Sequence, residues 1–397
     1  MKTLLVTLDG VADRPCVQLG NKTPLEAAKK PNLNRLAQNS VLFNTCIAGE
    51  IAPESDVGVL SLLGINPFQK HVGRAIFEWL STGRRFENGW LALRANFATV
   101  DKRGKILDRR AGRSLSRFEA KQLEQEINAI KLGTPFEFVA TSGHRGVVVF
   151  KGDFSKHIQN TDPAYQKNKK GISNAKHKFA SRVARCTPLS SDSKSKKTAA
   201  LVNAFTQVVN AVLEKSEVNQ HRKKRGQLAA TALLLRDGET KSPRENYSEW
   251  TIVAGMPLEI GIGKAFQMNM VKIAEGDYKK IAAIVGSEIK KRNVYVHLKG
   301  PDEYGHDGDV FGKKRSIEAI DHLFFGNLNV DLSKTRIVVT GDHATPCELK
   351  AHSNDAVPAL IAGGKLKGQK NGFDEPSANK QKTIVAWKLL RTAALLT

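Results

Sequence analysis

Residues 337–355, IVVTGDHATPCELKAHSND, decide the fold class. Ile337, Val338 and Val339 form a β-branched apolar run, the mark of a buried strand. The run stops at Gly341, where a loop opens with an acid and an imidazole, Asp342 and His343. Loops at such strand ends are where α/β sheets place their chemistry. Thr345 and Pro346 break any regular element, and nine residues after His343 comes a second imidazole, His352. One short loop therefore offers three side chains able to hold a metal ion.

Two other stretches repeat the pattern. Residues 294–298, VYVHL, read as an apolar strand followed by a loop, KGPDEYGHDGD, with Lys299, Gly300, Asp302 and His306. At the start of the chain, KTLLVTL (Lys2–Leu8) reads as a strand ending at Asp9-Gly10. A single Asp-Gly after a strand is ordinarily a turn, because Asx turns and positive φ at glycine favour one. Repetition at three strand ends points instead to a cation, or a pair of them, held between the loops.

With 397 residues, 41% of them hydrophobic, the chain can bury one large core and more readily two. It has no apolar run of membrane-spanning length, and its first residues enter a strand rather than a signal-peptide pattern, so a cytoplasmic protein without membrane contact is expected. Cys16, Cys46, Cys186 and Cys347 are widely spaced with no CxxC pair and read as free thiols. The net charge of +23 attracts polyanions, nucleic acid or small phosphorylated acids. Much of the excess lies in KNKKG, AKHK and SKSKK within residues 151–197, and in HRKKR at 221–225. Aromatic residues are not interleaved there, so solvated basic faces are favoured over a nucleic-acid site.

Punctuation and period order the elements. Thr23-Pro24-Leu25-Glu26 has the form of a capping box with proline at the first helical position, Pro31 interrupts that helix, and Leu33, Leu36 and Ala37 suggest further helical turns. Ser55 and Asp56 open an apolar helical segment closed by Gly64 and Pro67. A serine there is either the helix cap or a hydroxyl set among free backbone N–H groups, where a phosphoryl group is well held.

From residue 86 the character changes. Residues 91–100 read as a strand, 117–130 as a helix, and PFEFVATSGHRGVVVF as a hairpin with His144 and Arg145 in its turn. Asp108, Arg109, Arg110 and Arg113 surround one glycine in KILDRRAGR. Arginines in glycine-containing loops match the fork that grips carboxylate and phosphate, so Arg109, Arg110, Arg113 and Arg145, with His144, make a candidate anion pocket. Residues 194–198 read as a flexible basic connection, 199–213 as an amphipathic helix, and 233–235 as a strand ending at Arg236-Asp237-Gly238.

After Trp250 strands and helices alternate: strands at 251–254, 271–274, 294–298, 336–340 and 356–362, helices at 259–268, 278–291, 316–328 and 383–396. That rhythm implies a parallel-type sheet covered on both faces. Because both chain ends share the ligand theme, residues 1–80 and 245–397 are expected to form one discontinuous domain, with 81–244 inserted as a smaller α+β domain.

LDG at Asp9, PESD at Ser55, GRAIFEWL, NFATVD with DRRAGR, SGHRG, HLKGPDEYGHDGD, TGDHATPC and KAHSND, taken in this order, resemble the archaeal type of cofactor-independent phosphoglycerate mutase, of the alkaline-phosphatase superfamily. The resemblance implies an α/β, alkaline-phosphatase-like sheet flanked by helices on both faces, which holds two divalent metal ions, and an inserted domain for the glycerate part of the substrate. It implies that Asp302, His306 and His352 hold one ion, and Asp9, Ser55, Asp342 and His343 the other. Ser55 would carry the phosphoryl group between 3-phosphoglycerate and 2-phosphoglycerate, with Lys299 on the phosphate and no 2,3-bisphosphoglycerate required. Arg109, Arg110, Arg113, His144 and Arg145 would retain the glycerate, and Asp108 is a candidate proton shuttle. Carboxylate and imidazole ligands without thiolate suit Mn2+ first, with Mg2+, Co2+ or Zn2+ also compatible. The alternatives on this scaffold are a metal-dependent phosphatase or phosphonate hydrolase, and an inactive basic RNA-binding relative.

Overall fold

The strand that opens the chain stands in the middle of the main sheet, between strands contributed by residues near its end. A computed structural model describes residues 1–69, 73–167, 173–176, 179–243, 245–364, 366, 368 and 372–397. Of the basic segment expected within residues 151–197, Lys169, Lys170, His177 and Lys178 lie outside the described residues.

In chain order the strands through the middle of the chain are β1 (Lys2–Leu8), β2 (Ser40–Cys46), β3 (Leu91–Val100), β4 (Ile106–Asp108), β5 (Phe136–Ala140), β6 (Arg145–Phe150), β7 (Tyr165–Lys167), β8 (Ser173–Ala175) and β9 (Ala232–Glu239). There follow β10 (Trp250–Ala254), β11 (Asn269–Lys272), β12 (Asn293–Leu298), β13 (Thr335–Thr340), β14 (Val357–Ala362) and β15 (Thr383–Val385). The chain forms two compact units, Met1–Lys70 with Glu245–Thr397, and His71–Arg244.

The first unit holds an eight-stranded sheet of order β11-β10-β12-β1-β13-β14-β2-β15. β11, β10, β12, β1 and β13 run parallel, β14 is antiparallel to both β13 and β2, and β15 is parallel to β2. The sheet is thus mixed rather than wholly of parallel type. From Thr3 to Leu8 every residue of β1 is buried, as are all of β14 and successive residues of β12 and β13. Burial of consecutive side chains means that both faces are covered, which is why these strands read as unbroken apolar runs.

Several boundaries differ from the sequence reading. β2, SVLFNTC, escaped it, and so did the role of TIV at 383–385, which the reading placed in a closing helix. Those three residues form an edge strand against β2, and the helix is only Leu389–Leu396. Without β2 there was no reason to expect β15. Residues 301–307, read as loop, form the helix Pro301–Asp307, and the next helix starts earlier than expected, at Val310, where Asp309 accepts the Gly312 N–H at 2.7 Å.

In the second unit β3 is the organising strand, antiparallel to β4, β6 and β9. Leu91, Leu93, Ala95 and Phe97 enter a core with Phe138, Phe150, Phe205 and residues of the helices Arg117–Asn128 and Ser193–Lys215. On the other face Ala92 packs with Val147, Val149 and the helix Arg74–Ser81. That packing puts the helix in the second unit, whereas the sequence reading drew the boundary after residue 80. The supposed flexible connection at 194–198 is the first turn of the helix Ser193–Lys215, because Asp192 caps it by accepting the Ser195 N–H at 2.7 Å. β9 continues past Leu235 to Glu239 through a register shift opposite β3, with Asp237 at φ +58°.

In the basic run HRKKR, Arg222 is buried and its guanidinium is held by Ser114, Glu119 and the Leu228 carbonyl. No described helix is long and apolar enough to cross a membrane.

Behind the ligand loop of the first unit lies a buried polar knot. Lys313 Nζ donates to Ala12 O (3.0 Å), Asp13 Oδ2 (2.9 Å) and Thr345 O (2.8 Å), so all its protons are matched. Glu375 accepts from Asp13 N at 3.1 Å and from Thr23 Oγ1 at 2.7 Å. Burial raises the Glu375 carboxyl to about 7, against the opposing pull of those donors and of Lys313. A carboxyl whose folded value exceeds its unfolded one stabilises the fold below about pH 4.5, and that contribution is lost as pH rises through about 7. The change is on the order of 3 kcal/mol. Urea unfolding of Glu375→Gln between pH 4.5 and 7.5 is expected to be flatter than that of the unaltered protein; parallel pH profiles would show that Glu375 does not titrate in this range.

Candidate metal centre

The parallel strands β12, β1 and β13 end side by side, and the residues just beyond them supply the site. Asp9 follows β1, Lys299 follows β12, and Asp342 and His343 follow β13. Asp302 and His306 lie four apart in the helix Pro301–Asp307, the spacing that puts two side chains on one face. Ser55 is the first residue of the helix Ser55–Leu62, whose cap is Glu54, so the serine is not itself the cap.

All seven expected ligands come together within this unit. Around one point stand Asp302, His343 and His352, and around a second Asp9, Asp342 and His343; within each group the ligand atoms lie within 4.8 Å of one another. Asp302 Oδ1 is 3.5 Å from His352 Nε2, and its Oδ2 is 3.6 Å from His306 Nε2. The Nε2 atoms of His306 and His352 face each other at 3.2 Å. His343 Nε2 is 3.4 Å from Asp9 Oδ1, 3.3 Å from Asp342 Oδ2 and 3.4 Å from Ser55 Oγ. The His343 ring stacks on His352 with centroids 3.8 Å apart, so His343 borders both groups.

The rings are set from behind. Nδ1 of His343 meets Thr345 Oγ1 at 3.0 Å, Nδ1 of His352 meets Pro53 O at 2.8 Å, and Nδ1 of His306 meets Lys350 O at 3.1 Å. Each contact turns Nε2 toward the acids, as in metal-ligating histidines. Two close approaches need glycine. Gly10, at φ +57°, donates its N–H to Asp342 Oδ1 at 3.2 Å. A Cβ on Gly58 would lie 2.3 Å from the Asp342 carbonyl oxygen, so only glycine lets the Ser55 helix approach the β13 loop this closely. Gly58→Ala is expected to destabilise the protein by about 1–3 kcal/mol through overpacking. An unchanged urea midpoint would show that the helix can shift freely.

The residues fit divalent cations. Asp9 Oδ1 and Asp342 Oδ2 are buried without hydrogen-bond partners among the described residues, although each carboxylate's other oxygen is engaged, by Lys299 and by Gly10 N respectively. Burial, and then Asp9, push Asp342 up to about 7, whereas burial and then His352 hold His343 well below its usual value as a neutral ring. A dense set of buried carboxylates facing imidazole nitrogen is what a hard or borderline dication neutralises. Cys347 is not of this set: burial, then Asp13, lift its thiol to about 12, and Sγ points to Tyr304 O.

Two residues that the reading overlooked complete the surroundings. Lys299 Nζ lies 2.9 Å from Asp9 Oδ2 and 3.0 Å from Glu259 Oε1, and His297 Nδ1 lies 3.0 Å from the same Glu259 oxygen. The only signal for the histidine is an imidazole near the end of the strand NVYVHL. Glu259, buried in the helix Pro257–Ala265, carried no comparable signal.

The candidate anion residues belong to the second unit. Arg109 is paired with Asp162 at 2.6 Å, with its guanidinium over Tyr165 and Phe179. Asp108, the candidate proton shuttle, accepts the N–H groups of Arg110 (2.6 Å) and Gly112 (3.0 Å) through Oδ1 and so shapes the loop. Arg110 and Arg113 are exposed there, and Arg113 has φ +52°. Arg145 begins β6 rather than occupying the turn, and pairs in register with Asn96. Two residues along, Arg94 pairs with Arg236 of β9, so strand alternation puts these three arginines on one face. Burial, then Arg145, Arg113 and Arg236, lower His144 to about 4, leaving a neutral ring among cations. Glu78 and Asp237 balance Arg94, and Asp162 and Asp237 balance Arg236, but Arg145 has no acidic partner among the described residues.

The fold and site define a two-unit α/β protein with a carboxylate–imidazole centre at its strand ends. Residues 40–219 match the family model of 2,3-bisphosphoglycerate-independent phosphoglycerate mutase. The chain is 38% identical to the protein of that name from Aeropyrum pernix, over 94% of both chains. Among solved structures it is similar to a Pyrococcus horikoshii protein (TM-score 0.82, 26% identity, 100% of this chain and 97% of that one). It is also similar to a cofactor-independent phosphoglycerate mutase from Thermoplasma acidophilum (TM-score 0.69, 28% identity, 100% of both chains). The chain belongs to the 2,3-bisphosphoglycerate-independent phosphoglycerate mutase family.

Proposed function

We propose that this protein interconverts 3-phosphoglycerate and 2-phosphoglycerate in the cytoplasm, with Ser55 as the transient phosphoryl carrier and without 2,3-bisphosphoglycerate. The observation that carries this reading is the convergence of Asp302, His343 and His352 on one point and of Asp9, Asp342 and His343 on another, with His306 Nε2 3.2 Å from His352 Nε2 and Ser55 Oγ 3.4 Å from His343 Nε2.

Asp302, His306 and His352 would hold one divalent ion, and Asp9, Asp342, His343 and Ser55 the second, with His343 at the border of both. When bound, such ions lower the pKa of the serine hydroxyl and offset charge on the transferring phosphoryl group. The all-oxygen and nitrogen donor set favours Mn2+, with Mg2+, Co2+ or Zn2+ compatible.

Ser55 attacks phosphorus, the bond from phosphorus to the 3-oxygen breaks, and the seryl proton passes to the glycerate alkoxide. In the second half the 2-hydroxyl attacks the phosphoryl group on Ser55, the bond from phosphorus to Ser55 Oγ breaks, and the proton of the 2-hydroxyl passes to Ser55 Oγ. The position of Ser55 at a helix start turns free backbone N–H groups toward the phosphoryl oxygens. Lys299, fixed by Asp9 and Glu259, adds a cation beside them. Within the second unit, the guanidinium of Arg145, which has no acidic partner among the described residues, suits a carboxylate.

The test is a coupled assay for 2-phosphoglycerate from 3-phosphoglycerate with chelator-stripped protein and Mn2+ added back. Activity is expected only with the ion restored, without added 2,3-bisphosphoglycerate. Stoichiometric release of glycerate and inorganic phosphate would replace the mutase reading with that of a phosphatase.

A further inference from the structure

His297 lies in β12 opposite Thr7 of β1 and is 5% exposed. Its Nδ1 is 3.0 Å from Glu259 Oε1 and 3.0 Å from the Tyr295 hydroxyl. Its Nε2 has no hydrogen-bond partner among the described residues, and points at two oxygens that have none either: Asp9 Oδ1 at 3.6 Å and Asp342 Oδ2 at 3.7 Å. Three buried polar atoms, from β12 and from the ends of its neighbours β1 and β13, thus face one another beyond hydrogen-bonding distance. Buried polar atoms left in such a state call for a further partner among them.

The spacing fits ligands of one ion. Neighbouring ligand atoms about 2.1 Å from a four- or five-coordinate ion stand about 3.0 to 3.6 Å apart. His343 Nε2 already lies 3.4 and 3.3 Å from the same two oxygens. His297 also shares the arrangement of the three expected histidine ligands: each ring is held through Nδ1, and each turns Nε2 toward aspartate. His297 Nδ1 is hydrogen-bonded to the Tyr295 hydroxyl at 3.0 Å and also lies 3.0 Å from Oε1 of Glu259, a fully buried carboxylate of the kind that fixes the tautomer and raises the basicity of a ligating imidazole.

We propose that His297 Nε2 is a ligand of the cation held by Asp9, Asp342 and His343, with Glu259 as its positioning residue. This rests on the two-cation reading given above. The site then takes a divalent ion that accepts imidazole as readily as carboxylate, and Asp9 is divided between two cations, Oδ1 toward the ion and Oδ2 toward Lys299.

Chelator-stripped full-length protein titrated with Mn2+ by calorimetry provides the test. The unaltered protein is expected to take up two equivalents; His297→Gln should weaken one of them by about 100-fold or more and Glu259→Gln the same one by about 10-fold, the other changing less than threefold. Since a substitution at a buried position can prevent folding, the second measurement uses the unaltered protein. After loading with 113Cd2+ and labelling with 15N-histidine, four imidazole Nε2 resonances should couple to cadmium, those of His297, His306, His343 and His352. Two equivalents with only three coupled rings, or a His297→Gln protein whose Mn2+ affinities are both unchanged, would overturn the assignment of His297 alone. Uptake of no ion by the unaltered protein would instead remove the two-cation reading beneath it.

Discussion

Ser55→Ala is expected to abolish interconversion of the phosphoglycerates, with kcat falling by about 10^4-fold or more, while leaving most cation binding in place. The alcohol is the proposed acceptor of the phosphoryl group; the six carboxylate and imidazole ligands around it remain. Two measurements separate the roles. Incubation with 3-phosphoglycerate labelled in its phosphate should label the unaltered protein and not the variant, and calorimetry should still find Mn2+ uptake in the variant. Turnover within tenfold of the unaltered protein would show that the phosphoryl group does not pass through this serine.

Asp342→Asn should produce the next largest loss, about 10^3-fold in turnover, for a different reason. Asp342 divides its oxygens, one accepting the Gly10 N–H at 3.2 Å and the other facing His343 and Asp9. An asparagine that keeps its oxygen on Gly10 must turn its NH2 group toward the ion, where it offers protons instead of a lone pair. One Mn2+ equivalent should vanish from the calorimetric titration, and the equivalent bound by Asp302 and His352 should remain. Retention of both equivalents would show that Asp342 belongs to the hydrogen-bond framework and not to the ligand set.

What could be read from the sequence, and what could not, divides along a physical line. Asp9, Asp342 and His343 stand out because each ends an apolar run at a point where the chain changes direction; that contrast is local. The β1, β12 and β13 strands were legible for the same reason, being buried on both faces. Arg94 and Arg236 are separated by 142 positions, 236 minus 94, and meet only because β3 and β9 align with them opposite each other. No window along the chain contains such a register. His297 and Glu259 were hidden differently, since a buried polar residue within a strand or helix resembles a tolerated exception until its neighbours from other strands are known. β2 is the clearest omission: its alternation is weak, and its partners β14 and β15 both lie over 300 residues further on.

The placement of β1 also governs how the protein must be made. Residues 2–8 leave the ribosome long before their partners on either side, residues 294–298 and 335–340. During most of translation an apolar segment that belongs at the heart of the molecule has nothing to pair with, whereas the stretch His71–Arg244 carries its own partners and can assemble earlier. Synthesis from the amino terminus therefore finishes the inserted unit before the discontinuous one, and β1 waits for neighbours that are made about 300 residues later.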